Sequence, residues 1–219
     1  RSSSWYPLSV TPSARNTRAT TEAVANSSFW MSLRALATFF SALGTSQLAT
    51  MTPEQLNNLS TAQFAHLTAA QVASLTTEQI ANLAGDRLAA LTTAQIGALR
   101  TAQVAALTGD TLTSLTTAQA AALSSAQARA IDATALASME TADLAALNTG
   151  AVAVLRDAQI DALNGDQLAA LNSAQIRALS TAQMARLDAD DVGALTSAQF
   201  AAMTTAQVAS LSQVQFAAL

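Results

Sequence analysis

Large apolar side chains recur along this chain at alternating intervals of three and five residues, and the resulting period of eight does not slip. From Gly44 to Leu219 the sequence divides into 22 octads without an insertion or deletion. "TTAQIGAL" (Thr92 to Leu99) is representative. The eighth position is Leu, Ile or Met in all 22 copies. The fifth is large and apolar in 20, with Ala120 and Ala128 as exceptions. The fourth is Gln in 16 copies, the first is Thr, Ser, Asn or Asp in 17, and the sixth is mostly Ala.

A continuous helix cannot use this pattern. Eight residues advance an α-helix by about 800°, so the apolar pair would rotate by about 80° per octad and form no face. Strands fit no better, because spacings of three and five break the period-two alternation, and Ala and Gln are weak strand formers. Thr at the first position with Gln at the fourth is the S/T-x-x-Q capping box, which satisfies orphan backbone N–H groups at a helix start. In "TPEQLNNL" (Thr52 to Leu59) the proline stands at the first helical position, where its missing N–H costs nothing. The fifth and eighth residues then share one face. Each octad therefore predicts one very short capped helix with two large residues inward and Ala at positions 3, 6 and 7 for close backbone approach. So short a helix melts alone, since nucleation costs more than two turns return, but it persists when stacked. The expected fold class is all-α: a solenoid of about 22 very short helices.

A slower period is visible in the octads that depart from x-x-A-Q. They begin at Ala84, Thr108 and Asp132, then at Glu140, Asn164 and Asp188, with another at Asn148. The 24-residue spacing within each trio predicts three helices per superhelical turn. It places the Gly-Asp octads (Gly85-Asp86, Gly109-Asp110, Gly165-Asp166) along one edge.

Residues 1–43 are of another kind. They hold six of the nine aromatics and two of the three prolines. We expect 1–28 to be extended, 29–43 to be helical, and 44–219 to form the solenoid. A solenoid needs its terminal repeat covered, so 1–43 is either an N-terminal cap or a segment that docks on another subunit. The docking reading is sharpened by "SQVQFAAL", which ends at Leu219 on a complete apolar octad, so that either a partner covers it or further repeats follow. Its docking residues are Trp5, Tyr6, Phe29, Trp30, Phe39 and Phe40 against Phe216 and Leu219.

Composition narrows the function classes. Charged residues are 11% of the chain, against roughly 25% in ordinary soluble domains, so neutral Thr, Ser, Gln and Asn must cover the surface. The net charge is −4 and all ten basic residues are Arg. Scattered arginines make no basic stripe, and no nucleic-acid partner is expected. Zero cysteines remove disulfides and thiolate metal sites. The most apolar early stretch, Phe29 to Leu43, is interrupted by Arg34 and too short to span a bilayer. The chain begins at Arg1, as a processed or trimmed product would, so an export signal can already be gone.

Candidate chemistry is sparse. His66, the only histidine, has no partners for a relay or a metal site and reads as a surface substitution. Asp86, Asp110, Asp166, Asp188, Asp190 and Asp191 are weak calcium candidates, since aspartates stacked along a solenoid edge can bind Ca²⁺. The copies are few, and Asp in a first helical turn is also favoured by the helix dipole alone. The glutamines can bond between successive coils or serve only as the back half of the cap. No cofactor and no catalysis are expected.

"MTPEQLNNL" (Met51 to Leu59) resembles the opening of the transcription activator-like effector repeat, which forms a short helix. The match covers about six residues and lacks that family's base-reading loop. Over about 80% of the chain, the array resembles the L-T-T-A-Q-[IV]-A-A-L octapeptide tracts of large bacterial secreted or cell-surface proteins. That resemblance implies an extracellular, fibrous or adhesive context and carries no catalytic residues. The function expected is a bacterial extracellular or cell-surface filament subunit, a head-to-tail homo-oligomer, with a spacer stalk or ligand-binding solenoid of a large adhesin as the alternative.

Overall fold

A computed structural model of the chain describes residues 42–218, and the expectations for 1–41 and Leu219 lie outside them. Among the described residues there are 22 helices of four to six residues, one per octad, from α1 (Thr45–Ala49) to α22 (Gln213–Ala217), and no strand. Each helix begins at the octad's second position. The first position is its N-cap, with extended backbone such as φ −75°, ψ 161° at Thr76. The eighth residue is extended as well, for example φ −57°, ψ 146° at Leu75. Two extended residues between helices of about one and a half turns redirect the chain at every octad, and among the described residues none needs a positive φ.

Helices pack on the helix three places further along: α1 on α4 (Ala69–Ser74), α4 on α7 (Thr93–Gly97), and so on along that edge to α22. Three octads thus complete one turn of 24 residues, as the slower sequence period predicts. The large residues of positions 5 and 8 point to the axis and form one unbroken core from Leu48 to Val192, with Leu195, Met203 and Leu211 packed against it. Burying each such side chain contributes about 1.5–3 kcal/mol, which no isolated octad can obtain.

Two expectations need correction. Ala at position 3, expected to let backbones approach, faces solvent, as at Ala94 and Ala102; the inward positions are 4, 5 and 8, so Gln is buried beside the expected apolar pair. The Gly-Asp octads also do not share one edge. α6 (Gly85–Ala89) and α9 (Gly109–Leu112) stack on each other, but α16 (Gly165–Ala170) stacks on α13 (Thr141–Ala146), on a different edge. The slip of one octad between the two trios moves it there. These glycines answer to close approach between turns: a Cβ on Gly85 would lie 2.0 Å from Ser114 Oγ, and one on Gly165 2.9 Å from the Ala194 Cβ.

Truncating a core residue should open a cavity that only adjacent turns can fill. Leu168, 0% exposed, changed to Ala should lower stability by about 3 kcal/mol. Amide hydrogen exchange should rise around α16 and the turns it touches, with little effect at α1.

Candidate functional site

Among the described residues the buried Gln rows are the only regular polar feature of the interior, and each side chain does two jobs. In α5 (Thr77–Ala81), Gln79 Oε1 accepts the Thr76 N–H at 2.7 Å, and Thr76 Oγ1 accepts the Gln79 N–H at 3.1 Å. The carboxamide's other end donates to the turn below, with Nε2 at 2.8 Å from the Leu48 carbonyl and 2.7 Å from that of Met51. Gln103 reaches Val72 and Leu75 in the same way, at 3.0 and 2.8 Å, and Gln207 reaches Ile176 and Leu179, both at 2.8 Å. The acceptors lie 31 and 28 residues back, at positions 5 and 8 of the octad before the one stacked underneath. The two sequence readings of Gln, cap and inter-coil bridge, are both realised on a single amide. Among the described residues no buried side-chain nitrogen or oxygen is left without a partner.

Two departures from Gln each keep one of its two jobs. Arg87 Nε donates to the Leu59 carbonyl at 3.0 Å, taking over one of the two acceptors. Asp191 keeps the cap by accepting the Asp188 N–H at 3.2 Å but has no amide to donate. Where Arg replaces the capping hydroxyl, it does not cap; Arg100 and Arg156 instead reach the carbonyls of Leu75 and Ile131, each at 2.9 Å.

Apart from Asp143, which is buried, the ionisable groups are scattered over the surface or only partly covered. Asp86, Asp110, Asp166 and Asp190 are exposed in first helical turns, Asp86 paired with Arg87. Asp188 caps its helix by accepting the Asp191 N–H at 2.8 Å. Among the described residues no group of three or more acids or histidines is placed to hold a metal ion. Asp132 is held below the usual carboxylate range by hydrogen bonds from the Thr134 hydroxyl and the N–H groups of Thr134 and Ala135. Asp161 is lowered by the guanidinium of Arg186, whose Nε lies 2.8 Å from Oδ1 across adjacent turns. Asp191 is raised by burial and by the charges of Asp188, Asp190 and Asp161. His66 is half-buried at the C-cap of α3 (Thr61–Ala65).

Of the expected docking residues, Phe216 is described and stands 58% exposed beside Val214 at 70%. Trp5, Tyr6, Phe29, Trp30, Phe39, Phe40 and Leu219 lie outside the described residues. Among those described, no helix is long and apolar enough to cross a membrane.

A family model for the ALTTAQ repeat matches residues 54–85, 86–117, 136–173, 166–197 and 184–219. No curated protein matches the chain.

Gln119→Glu separates the two jobs of the side chain. Glu still accepts the Thr116 N–H but puts a carboxylate where Nε2 now lies 2.9 Å from the Leu88 carbonyl. The variant should be less stable than Gln119→Ser at pH 7 and recover near pH 4, because a carboxyl that must be protonated to donate stabilises only below its folded pKa. Gln119→Leu, lacking both functions, should cost about 2–4 kcal/mol at either pH.

The lowered carboxylates work in the opposite sense. Asp132 and Asp161 contribute above the unfolded Asp pKa of about 3.9, and that contribution is lost as pH falls through their folded values. Asp191 is raised, so its ionised form opposes folding. Asp191→Asn should be more stable than the parent at pH 7, by under about 1 kcal/mol. Paired urea titrations should show the difference shrinking as pH falls.

Proposed function

The chain belongs to the ALTTAQ repeat family, and we propose that it is a structural protein, a subunit of a bacterial extracellular or cell-surface filament that assembles end to end, with no reaction of its own. One observation carries this reading: the contact between turns is polar in direction. Turn after turn, with the one from Asp132 to Leu155 as the exception, Gln amides point downward and carbonyls are offered upward, as in Gln95 to Leu67 and Gln127 to Ile96 and Leu99. A head-to-tail contact of that kind is heterologous, makes an open filament where the rotation does not close, and joins turns of two chains by the same chemistry as turns of one.

The covering of the rod agrees with a passive, extended role. In Thr92 to Leu99 the solvent-facing residues are Thr92, Thr93, Ala94 and Gly97, and such small neutral groups recur along the array. They offer little for steering a charged ligand. The extracellular context rests on the likeness to octapeptide tracts of bacterial secreted proteins.

Negative-stain electron microscopy across a concentration series should show fibres one solenoid wide, with sedimentation shifting toward polymer as concentration rises. Deleting residues 1–43, or changing Phe216 to Ser, should reduce assembly while leaving the helical circular-dichroism signal in place. Monodisperse monomers at every concentration, with 1–43 present, would sink the filament and leave a spacer rod within a larger adhesin.

A further inference from the structure

The turn from Asp132 to Leu155 is the one place in the described array where three successive octads lack the fourth-position Gln. Ala135, Asp143 and Ala151 stand there, 4%, 4% and 0% exposed. Their helices are α12 (Ala133–Ala137), α13 and α14 (Thr149–Ala153), which lie on α9, α10 (Thr117–Ala121) and α11 (Ser125–Ala130). By the 31 and 28 spacing, the carbonyls left without an amide are those of Val104, Leu107, Leu112, Leu115, Ala120 and Leu123. Among the described residues, Leu123 alone of these gains a side-chain donor from the turn above, Asn148 Nδ2 at 2.7 Å. One further bond spans these turns, from exposed Arg129 to the Val154 carbonyl at 3.2 Å.

Elsewhere a missing Gln is a single gap. Thr111 stands between the bridging octads of Gln103 and Gln119, and Asp191 between those of Gln183 and Gln199. The apolar core runs through the exceptional turn without a break, with Leu136, Leu144 and Val152 all 0% exposed. Packing is therefore retained while the directional bonds are withdrawn.

We propose that this turn is a built-in joint, at which the rod divides into two cooperative blocks, α1–α11 and α12–α22, and parts first under tension or denaturant. In a solenoid each turn is held by its neighbours alone, so one weak interface sets the boundary between cooperative units. The joint lies midway along the 22 helices, where fraying from the two ends would give the strongest protection. A minimum there has no end-effect explanation.

Native-state hydrogen exchange of the full chain, read peptide by peptide, tests this. Residues 132–155 should exchange at least about tenfold faster than the turns centred on Gln95 and Gln175, since several inter-turn bonds are absent there at once. Protection that peaks at 132–155, or matches those turns, overturns the proposal. Asp143→Gln supplies the missing amide opposite Leu112 and Leu115 and should slow exchange in 140–147 several-fold. A folded variant whose minimum is unchanged overturns it equally.

Discussion

A chain that starts a new helix every eight residues creates backbone donors at each start and carbonyl acceptors at each end faster than helical hydrogen bonds can absorb them. The glutamine carboxamide resolves this because it has an acceptor and a donor end. Gln159 illustrates the economy: its oxygen takes the Arg156 N–H at 2.8 Å, and its nitrogen serves the carbonyls of Ala128 and Ile131, both at 2.9 Å. At neutral pH no other side chain of this length does both without a charge. Ionised Glu has no donor, and Asn is one carbon shorter: Asn148 bonds from the capping position instead. Buried at nearly every turn, an ionic group would carry a desolvation cost that a neutral amide avoids.

From that bond follow the period and the direction of the stack. The amide spans 28 and 31 residues only if three octads make a turn, so the octad length, the two extended residues at each corner and the 24-residue repeat are mutually consistent. The core fixes how far the turns lie from the axis, and the amides fix how they sit upon one another. Where glycine replaces threonine at the second position, as at Gly85 and Gly109, the next turn's Ser114 and Ser138 come in closer than a Cβ permits. Those next turns carry Thr111 and Ala135 in place of Gln. Shorter side chains and closer approach thus occur together. Electrostatics plays a small part, with a single inter-turn ion pair, Asp161 with Arg186, among the described residues.

The octad pattern, read as chemistry, determined a good deal by itself. Thr or Ser at the first position and Gln at the fourth can cap only a helix start, and apolar pairs that recur every eight residues can all face one core only if each helix is one or two turns long. The all-α class, the helix count and the inward placement of positions 5 and 8 follow from these local constraints. The 24-residue spacing of the variant octads also signalled three helices per turn. Tertiary structure decided what depends on residues some thirty apart in the chain. It buried Gln, turned the third-position Ala to solvent and placed α16 on a different edge from α6 and α9. Capping needs only the Gln oxygen, which a single octad reveals; the destination of the nitrogen is a carbonyl in another turn, and it exists only once the turns are stacked.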